Sequence, residues 1–559
     1  MPLNIHPMTD TLKIALAQLN PKVGDIAGNA AKIRDARGAA AQEGADLVMF
    51  SELFLVGYPP EDLVLKPSFQ AAARAEIEAL AAETADGGPA LLIGTPWVLE
   101  DKLYNAVVLL CDGKVEAVRC KHFLPNYGVF DEQRVFEPGP LPGPVNFKGV
   151  RIGVPICEDI WFRDVAECVT ETGAEFLLVP NGSPFEAKKN DERINHVVAR
   201  VKENDLPLAY LNQVGGQDEL VFDGGSFVLN TDLCVAVQLP TFAEAIVMTD
   251  WTRGDDGWSC APGDKVLFPG DMEATYQACV LGLRDYVGKN FFPGVLIGLS
   301  GGVDSAICAA MAVDALGPDK VHCVMMPSKF TSDESLDDAR DCAAMLGVRL
   351  DTISIASTVD ALSETLAPSF EGKEPDITEE NMQSRSRGLI LMALSNKHGK
   401  MVVTTGNKSE VSVGYATLYG DMCGGYNPIK DLYKTLVFDL CRWRNDNLPA
   451  GALGPDGPVM PVNIIDKPPT AELREDQKDE DSLPPYDQLD DILECLVEGE
   501  LSVDAIVERG HELALVQRIE HLLYVAEYKR RQAAPGVKIG LRNFGRDRRY
   551  PITNGFRDR

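Results

Sequence analysis

The chain lacks a long hydrophobic run, a paired-cysteine spacing and any excess of positive charge, and each absence removes a class of function. No stretch of its 559 residues approaches the roughly 18 consecutive apolar positions of a membrane-spanning helix. The opening MPLNIHPMTD lacks the basic segment and apolar core of a secretory leader. The expectation is a cytoplasmic protein with no membrane partner. Thirteen cysteines are scattered without a CxxC pair or a zinc-like spacing, and such an odd count reads as reduced thiols in a reducing compartment. With 53 Lys and Arg against 84 Asp and Glu, the net charge is −31, which excludes a protein that coats nucleic acid or an anionic membrane. Any phosphate it binds must be met by backbone N–H groups, local cations or a metal ion. Internal repeats and low-complexity tracts are also lacking.

What is present is an ordinary globular balance, 45 % hydrophobic and 25 % charged. The length allows three to four average domains at roughly 150 residues each, or two large ones. The first 240 residues alternate short apolar strands with helices. Strands are predicted over 12–19, 46–50, 90–95, 104–110, 115–119, 151–156, 175–179 and 206–211, with helices over 27–43, 159–172 and 190–204. The mixture of hairpin-like and crossover spacings implies a layered α/β sandwich. Residues 251–270, rich in Gly, Pro and Asp, read as a linker. The domain boundaries expected from this are 1–258 and 273–559, joined by 259–272.

The second half has regular β-α-β alternation. Helices are predicted over 271–289, 304–316, 333–346 and 378–397, and strands over 294–299, 321–325, 349–355 and 401–405. This implies a parallel sheet with ligands at the carboxyl ends of its strands. Residues 466–494, acidic and proline-containing, read as a mobile loop. The tail from Lys529 carries ten Lys and Arg against two Asp and reads as a solvated arm, an oligomer contact or a site-lining segment.

The sharpest motif is GVLIGLSGGVDSA, in which an apolar strand runs into Ser300-Gly301-Gly302 and then a helix. The glycines let backbone N–H groups close on an anion, Ser300 and Ser305 add hydroxyl donors, and the helix N-terminus favours phosphate. The anion-binding segment comprises Gly298, Leu299, Ser300, Gly301, Gly302, Val303, Asp304 and Ser305. It is neither a Walker A loop nor a GxGxxG turn. The Asp304 carboxylate beside a phosphate calls for a Mg²⁺ between them. A second run, TTGNKSEVSVGYATLYGD, follows the strand at 401–405. Here Thr405 is placed to contact the phosphate-bearing ligand, Glu410 to supply a second carboxylate to Mg²⁺, Gly420–Gly425 to admit a large substrate, and Lys434 to neutralise phosphates.

In the first half, Glu52, Lys121 and Cys157 each follow a predicted strand. A thiol needs a base to become a nucleophile, which Glu52 supplies, and Lys121 stabilises an anionic tetrahedral intermediate.

These motifs carry resemblances. SGGVDS resembles the loop of the ATP pyrophosphatases. Together with TGNKSE, GYATLYGD and PPTAELREDQKDEDSLPPY it resembles the NAD synthetase family over about residues 270–559. This resemblance implies an adenine nucleotide hydrolase-like fold, ATP and Mg²⁺, and adenylation of deamido-NAD before amidation. It also implies Thr470 at the ATP phosphates, and Asn381, Glu410, Asp421, Lys434 and Lys529 at deamido-NAD. Over about residues 12–250 the Glu-Lys-Cys set and the CEDIWF segment resemble the nitrilase superfamily, implying an αββα sandwich. There Glu132 matches an accessory glutamate, and Tyr127, Ser183 and Lys189 match glutamine-binding positions, with Lys188 and Arg193 as competing cations for the last. Joined, the halves resemble the glutamine-dependent NAD synthetases, which implies glutamine, deamido-NAD and ATP as substrates, internal transfer of ammonia and a homo-oligomer. The competing readings are another ATP pyrophosphatase amidotransferase forming GMP or asparagine, and a nucleotide-sensing protein with an inactive amidase domain.

Overall fold

The structure is a computed structural model that describes residues 9–558 except Lys188 and Asp476; residues 1–8, most of the opening segment, and the competing cation Lys188 lie outside the described residues. The chain forms two compact units, Met1–Gln217 with Val221–Gly270, and Asp218–Leu220 with Asp271–Arg559. No helix among the described residues is long and apolar enough to cross a membrane. All thirteen cysteines are free.

The first unit is an αββα sandwich. One sheet runs Gly257–Cys260, Ala245–Gly254, Thr11–Gln18, Leu47–Met49, Ala90–Leu99, Lys102–Cys111, Lys114–Cys120. The other runs Val235–Gln238, Phe227–Leu229, Leu208–Asn212, Phe176–Asn181, Val150–Gly153, Val145–Phe147. Alternate residues of each point inward, so Leu16, Met49, Leu92 and Leu109 of one sheet share a core with Ile152, Phe176, Leu178 and Leu211 of the other. Helices Ile26–Gln42 and Pro67–Glu83 cover one outer face, and Arg163–Glu171 and Lys189–Asn204 cover the other.

Several expectations for this unit are corrected. Residues 251–260 are not linker but the edge hairpin of the larger sheet, with Trp251 opposite Cys260 and Gly254 opposite Gly257. Asp255-Asp256 form the two-residue turn between Gly254 and Gly257, and Trp251, Trp258 and Cys260 on either side of it are buried between the sheets. The expected linker 259–272 therefore starts inside a strand and ends inside helix Asp271–Lys289; only 261–270 is irregular. The strand expected over 151–156 stops at Gly153, and the helix expected over 159–172 splits into a 3-10 turn, Cys157–Ile160, and helix Arg163–Glu171.

In the second unit a parallel sheet runs Arg349–Thr352, Val321–Met325, Val295–Gly298, Met401–Val403. The strand at 349 stops three residues short of the expected end. Sequence order reverses between Val295–Gly298 and Met401–Val403, so a crevice opens at their carboxyl ends, the place where such sheets take ligands. Helix Val303–Leu316, apolar except for Asp304, Ser305 and Asp314, is buried because it packs against both Asp271–Lys289 and Lys434–Asp446.

The acidic segment 466–494 is not one loop. Asp466 ends helix Val462–Asp466, and Tyr486–Val497 is a helix whose Tyr486, Leu489, Ile492 and Leu493 face a hydrophobic cluster. Their spacing of three and four residues is helical, and the acidic residues between them masked it. The basic tail is not a solvated arm. Val537, Lys538, Ile539, Asn543, Phe544 and Arg548 are buried. Asp431 accepts from the N–H groups of Ile539 and Gly540, both at 2.7 Å, and pairs with the fully buried Lys408.

Candidate functional site

Two clusters of buried charge stand out, one in each unit. In the first unit, Glu52 follows strand Leu47–Met49 through Phe50-Ser51. Gly94 of the neighbouring strand allows this close passage, because a Cβ there would lie 2.2 Å from Leu53 N and 2.5 Å from Ser51 O. Lys121 follows strand Lys114–Cys120, and its N–H bonds to Asn105 O at 2.8 Å. Glu132 opens a short 3-10 turn. Cys157 begins another with φ +46°, a left-handed conformation that costs a non-glycine residue about 1–2 kcal/mol. This sharp turn, not a strand end, is what presents the thiol.

Lys121 Nζ donates to Glu52 Oε1 at 2.7 Å and to Glu132 Oε1 and Oε2 at 2.8 and 3.0 Å. All three side chains are buried, and an unpaired ammonium there would be prohibitively costly. Burial alone would lower the Lys121 pKa, but the Glu132 and Glu52 carboxylates hold it well above the usual lysine value. Burial raises Glu132 to about 7, against the pull of Lys121. Burial, then the Glu52 charge, pushes the Cys157 thiol well up, with Lys121 opposing. At rest the cysteine is therefore a neutral thiol beside a carboxylate.

Sequence reasoning missed several residues of this cluster. Tyr58 donates its hydroxyl to Glu132 Oε1 at 2.7 Å. Asn105 Nδ2 donates to Glu52 Oε1 at 2.8 Å and lies 3.4 Å from Glu132 Oε2. Gly182 N donates to Glu52 Oε2 at 3.0 Å. Asn105 did carry a signal, as the single polar residue in the apolar run 105–110.

Beside the thiol, half-exposed Tyr127 donates to the Glu158 carboxylate at 3.0 and 3.1 Å. Lys189 Nζ lies 5.8 Å from the Phe130 ring centre and 6.0 Å from that of Trp161. The Ser183 hydroxyl accepts from Arg193 Nε at 3.1 Å, leaving its own hydrogen to donate. Arg193 is committed elsewhere. Its Nη1 pairs with both Asp223 oxygens at 2.8 Å and its Nη2 donates to Ser183 O and Pro184 O.

In the second unit the crevice at the sheet switch point is a cavity of about 420 Å³. Of the loop, Gly298, Leu299, Ser300, Gly302, Val303, Asp304 and Ser305 line it. Gly301 does not. Its φ is +82°, and a Cβ there would lie 2.3 Å from Ser335 O, so only glycine makes this turn. Ser300 and Ser305 hydroxyls lie 3.1 Å apart, and Gly302 N donates to Ser300 Oγ at 3.2 Å. Thr405, Glu410, Lys434 and Asp421 line the same cavity, as do Asn381, Thr470 and Lys529.

Lys434 Nζ bridges Asp304 Oδ2 and Glu410 Oε1, the latter at 3.2 Å, while Asn407 Nδ2 donates to Asp304 Oδ1 at 2.9 Å. Burial lifts the Glu410 carboxyl to about 8, against Lys434. Asp421 accepts from Ser384 Oγ and Thr417 N, both at 2.8 Å, and Asn381 Oδ1 accepts from Thr417 Oγ1 at 2.9 Å. Thr470 Oγ1 donates to Gln477 O at 2.6 Å, and Lys529 Nζ donates to Gly414 O and Ala416 O at 2.7 Å each. A residue not anticipated is Asp479, which lines the cavity and accepts from Tyr486 at 2.9 Å and Tyr415 at 3.2 Å.

No cluster of three or more His, Cys, Asp or Glu among the described residues forms a metal cage. Asp304 and Glu410 nonetheless fit Mg²⁺, which is commonly held by one or two carboxylates with water and substrate phosphate completing its shell. Two carboxylates already share one cation here.

A sandwich unit with a buried Glu-Lys-Cys set, in one chain with a parallel-sheet unit bearing a glycine-rich anion loop, defines an amide-cleaving unit fused to a nucleotide-binding one. Residues 13–255 match the carbon-nitrogen hydrolase family and residues 275–533 match the NAD synthase family. The chain is 56 % identical to the glutamine-dependent NAD(+) synthetase of Rhodobacter capsulatus, over 99 % of this chain and 100 % of that protein. It is 48 % identical to the enzyme of the same name from Xanthomonas campestris, over 98 % of each. A solved glutamine-dependent NAD+ synthetase from Acinetobacter baumannii, in complex with ADP, superposes with a TM-score of 0.77 at 40 % identity, covering 98 % of this chain and 100 % of that one. The chain belongs to the glutamine-dependent NAD(+) synthetase family.

Proposed function

We propose that the first unit hydrolyses glutamine and that the second uses ATP to activate deamido-NAD, which the released ammonia converts to NAD. The observation that carries this reading is the pair of buried lysine–carboxylate clusters. One is set against a thiol, and the other sits on a cavity large enough for a nucleotide.

Glutamine lies with its α-carboxylate toward Ser183 and Lys189 and its α-amino group toward the Tyr127–Glu158 pair. The Cys157 proton passes to Glu52 as the sulfur attacks the carboxamide carbon, and the Lys121 charge stabilises the oxyanion. Glu52 returns the proton to the departing ammonia, then takes one from the water that cleaves the thioester. Glu132 holds Lys121 in place.

In the second unit, backbone N–H groups of the loop Ser300–Ser305 and the start of helix Val303–Leu316 receive phosphate. Thr405 and Thr470 complete the ATP site; Asn381, Asp421 and Lys529 border deamido-NAD. Asp304 and Glu410 would hold Mg²⁺, which when bound neutralises phosphate charge. Lys434 then exchanges its carboxylate partners for phosphate oxygens. The deamido-NAD carboxylate attacks the α-phosphorus, pyrophosphate leaves, and ammonia displaces AMP from the acyl adenylate. We carry cytoplasmic location, homo-oligomeric assembly and internal transfer of ammonia as parts of the same proposal.

The test is product stoichiometry. With glutamine, deamido-NAD, ATP and Mg²⁺, the expected result is NAD, AMP, pyrophosphate and glutamate in parallel. ADP and phosphate in place of AMP and pyrophosphate, or no NAD, would contradict it.

A further inference from the structure

Two carboxylates share one ammonium in the first unit, and Lys121 alone cannot arrange them. Its three N–H groups are all spent, on Glu52 Oε1 and on both oxygens of Glu132. What orients Glu52 is a second donor on Lys102–Cys111, a strand bonded on both sides. The Nδ2 group of Asn105 carries two hydrogens. One meets Glu52 Oε1 at 2.8 Å and the other faces Glu132 Oε2 at 3.4 Å. Glu52 Oε1 is thus held by Lys121 and Asn105 together. Among the described residues Oε2 accepts only from Gly182 N, and that N–H also faces the Cys157 sulfur. Oε1 is thus held by two donors and Oε2 by one, so Oε2 is the oxygen left with room to take a proton.

The amide orientation is dictated by charge, since the flipped form would set Oδ1 against two carboxylates. The cost is visible: Asn105 Oδ1 is buried with no partner among the described residues. A polar side chain with an unsatisfied buried acceptor, in a run where its followers are Ala106, Val107 and Val108, calls for a reason beyond packing.

We propose that Asn105 is the positioning residue of the amidase site, its carboxamide spanning Glu52 and Glu132 so that Glu52 Oε2 faces the Cys157 thiol. The inference rests on the amidase reading above. The charged or titratable groups around it are Glu52, Tyr58, Lys121, Glu132, Cys157 and Glu158. Removing the neutral donor leaves Glu52 Oε1 held by Lys121 alone, so the carboxylate is free to turn and Oε2 loses its aim at the thiol.

The test uses the full chain with Asn105→Ser, which keeps a small polar side chain, and Asn105→Asp, which keeps the shape but replaces the donor by an anion. Glutamine hydrolysis is followed across pH, and thermal unfolding reports folding. The expected result is a fall in kcat of about 10–100-fold with the KM for glutamine changed less than about threefold. The fall is larger in the Asp variant than in the Ser variant, because a further anion repels Glu52 and Glu132. If one variant fails to unfold cooperatively, the other decides. Parental kcat in a folded variant at every pH would overturn the proposal, as would a loss carried through KM instead of kcat. Cys157→Ala is run alongside. If it still hydrolyses glutamine at the parental rate, the amidase reading falls and this inference with it. If it is inactive while the Asn105 variants behave as the parent, the inference alone fails.

Discussion

Lys121 and Lys434 are each a buried ammonium between two carboxylates, yet they are not free to do the same things. The partners of Lys121 are as buried as it is and are fixed by further donors from Tyr58, Asn105 and Gly182. The partners of Lys434, with side chains 18 % and 17 % exposed, open on the cavity. On the proposed function, the first arrangement is preorganised for proton transfer at a small amide, with its charges held in place, and the roles that follow are read in the same way. The second is an internal neutralisation that ligand charge replaces. An ion pair locked on every side is machinery, whereas one left open toward a cavity holds a place for the substrate.

Substituting the two lysines separates these roles most strongly. Lys434→Met should lower NAD formation by about 10³-fold or more whether glutamine or ammonia supplies nitrogen, because phosphate charge is stabilised in neither case. Lys121→Met should cost about 10²–10³-fold with glutamine and leave ammonia-supported synthesis within about twofold. Steady-state assays with each nitrogen source check both. Equal sensitivity of the two sources to Lys121→Met would erase the distinction.

A smaller effect tests the openness of the second site. Glu410 is held up to about 8 against an ordinary 4.5, because burial disfavours its charge. The folded chain therefore keeps a proton that the unfolded chain releases. The stability this contributes is full below about pH 4.5 and is lost as the pH rises through about 8. Glu410→Gln removes the titration, so its thermal midpoint should fall less steeply than the parent's between about pH 5 and 9, by about 2–4 °C. ATP with Mg²⁺ should narrow the gap. Parallel curves would show that Lys434 keeps the carboxylate charged throughout.

The legible parts of these sites were those whose residue type stands out against its surroundings. Glu52 interrupts an apolar stretch, Lys121 and Cys157 each follow an apolar strand pattern, and SGGVDS punctuates a strand-to-helix junction. Tyr58 was not legible as a site residue, and Asn105 showed only as the polar residue of an apolar run, because only the fold shows what its polar end meets. Within GNKSE the sequence shows two charges but not their directions. Lys408 and Glu410 are about 200° apart around a helix of 3.6 residues per turn. Glu410 accordingly lines the cavity, whereas Lys408 is buried against Asp431 and Glu498 and anchors the tail. The hairpin at 251–260 and the helix at 486–497 were hidden by polar composition. In both, a few large apolar residues at strand or helix spacing outweighed the Gly, Asp and Glu around them.

On the proposed function, nitrogen release and nitrogen use are separate chemistries in the two units, and Cys157→Ala divides one from the other. With glutamine, deamido-NAD, ATP and Mg²⁺, NAD formation should fall by more than about 10³-fold. With ammonia in place of glutamine, NAD, AMP and pyrophosphate should appear at close to the parental rate. Equal loss with both nitrogen sources would contradict the account.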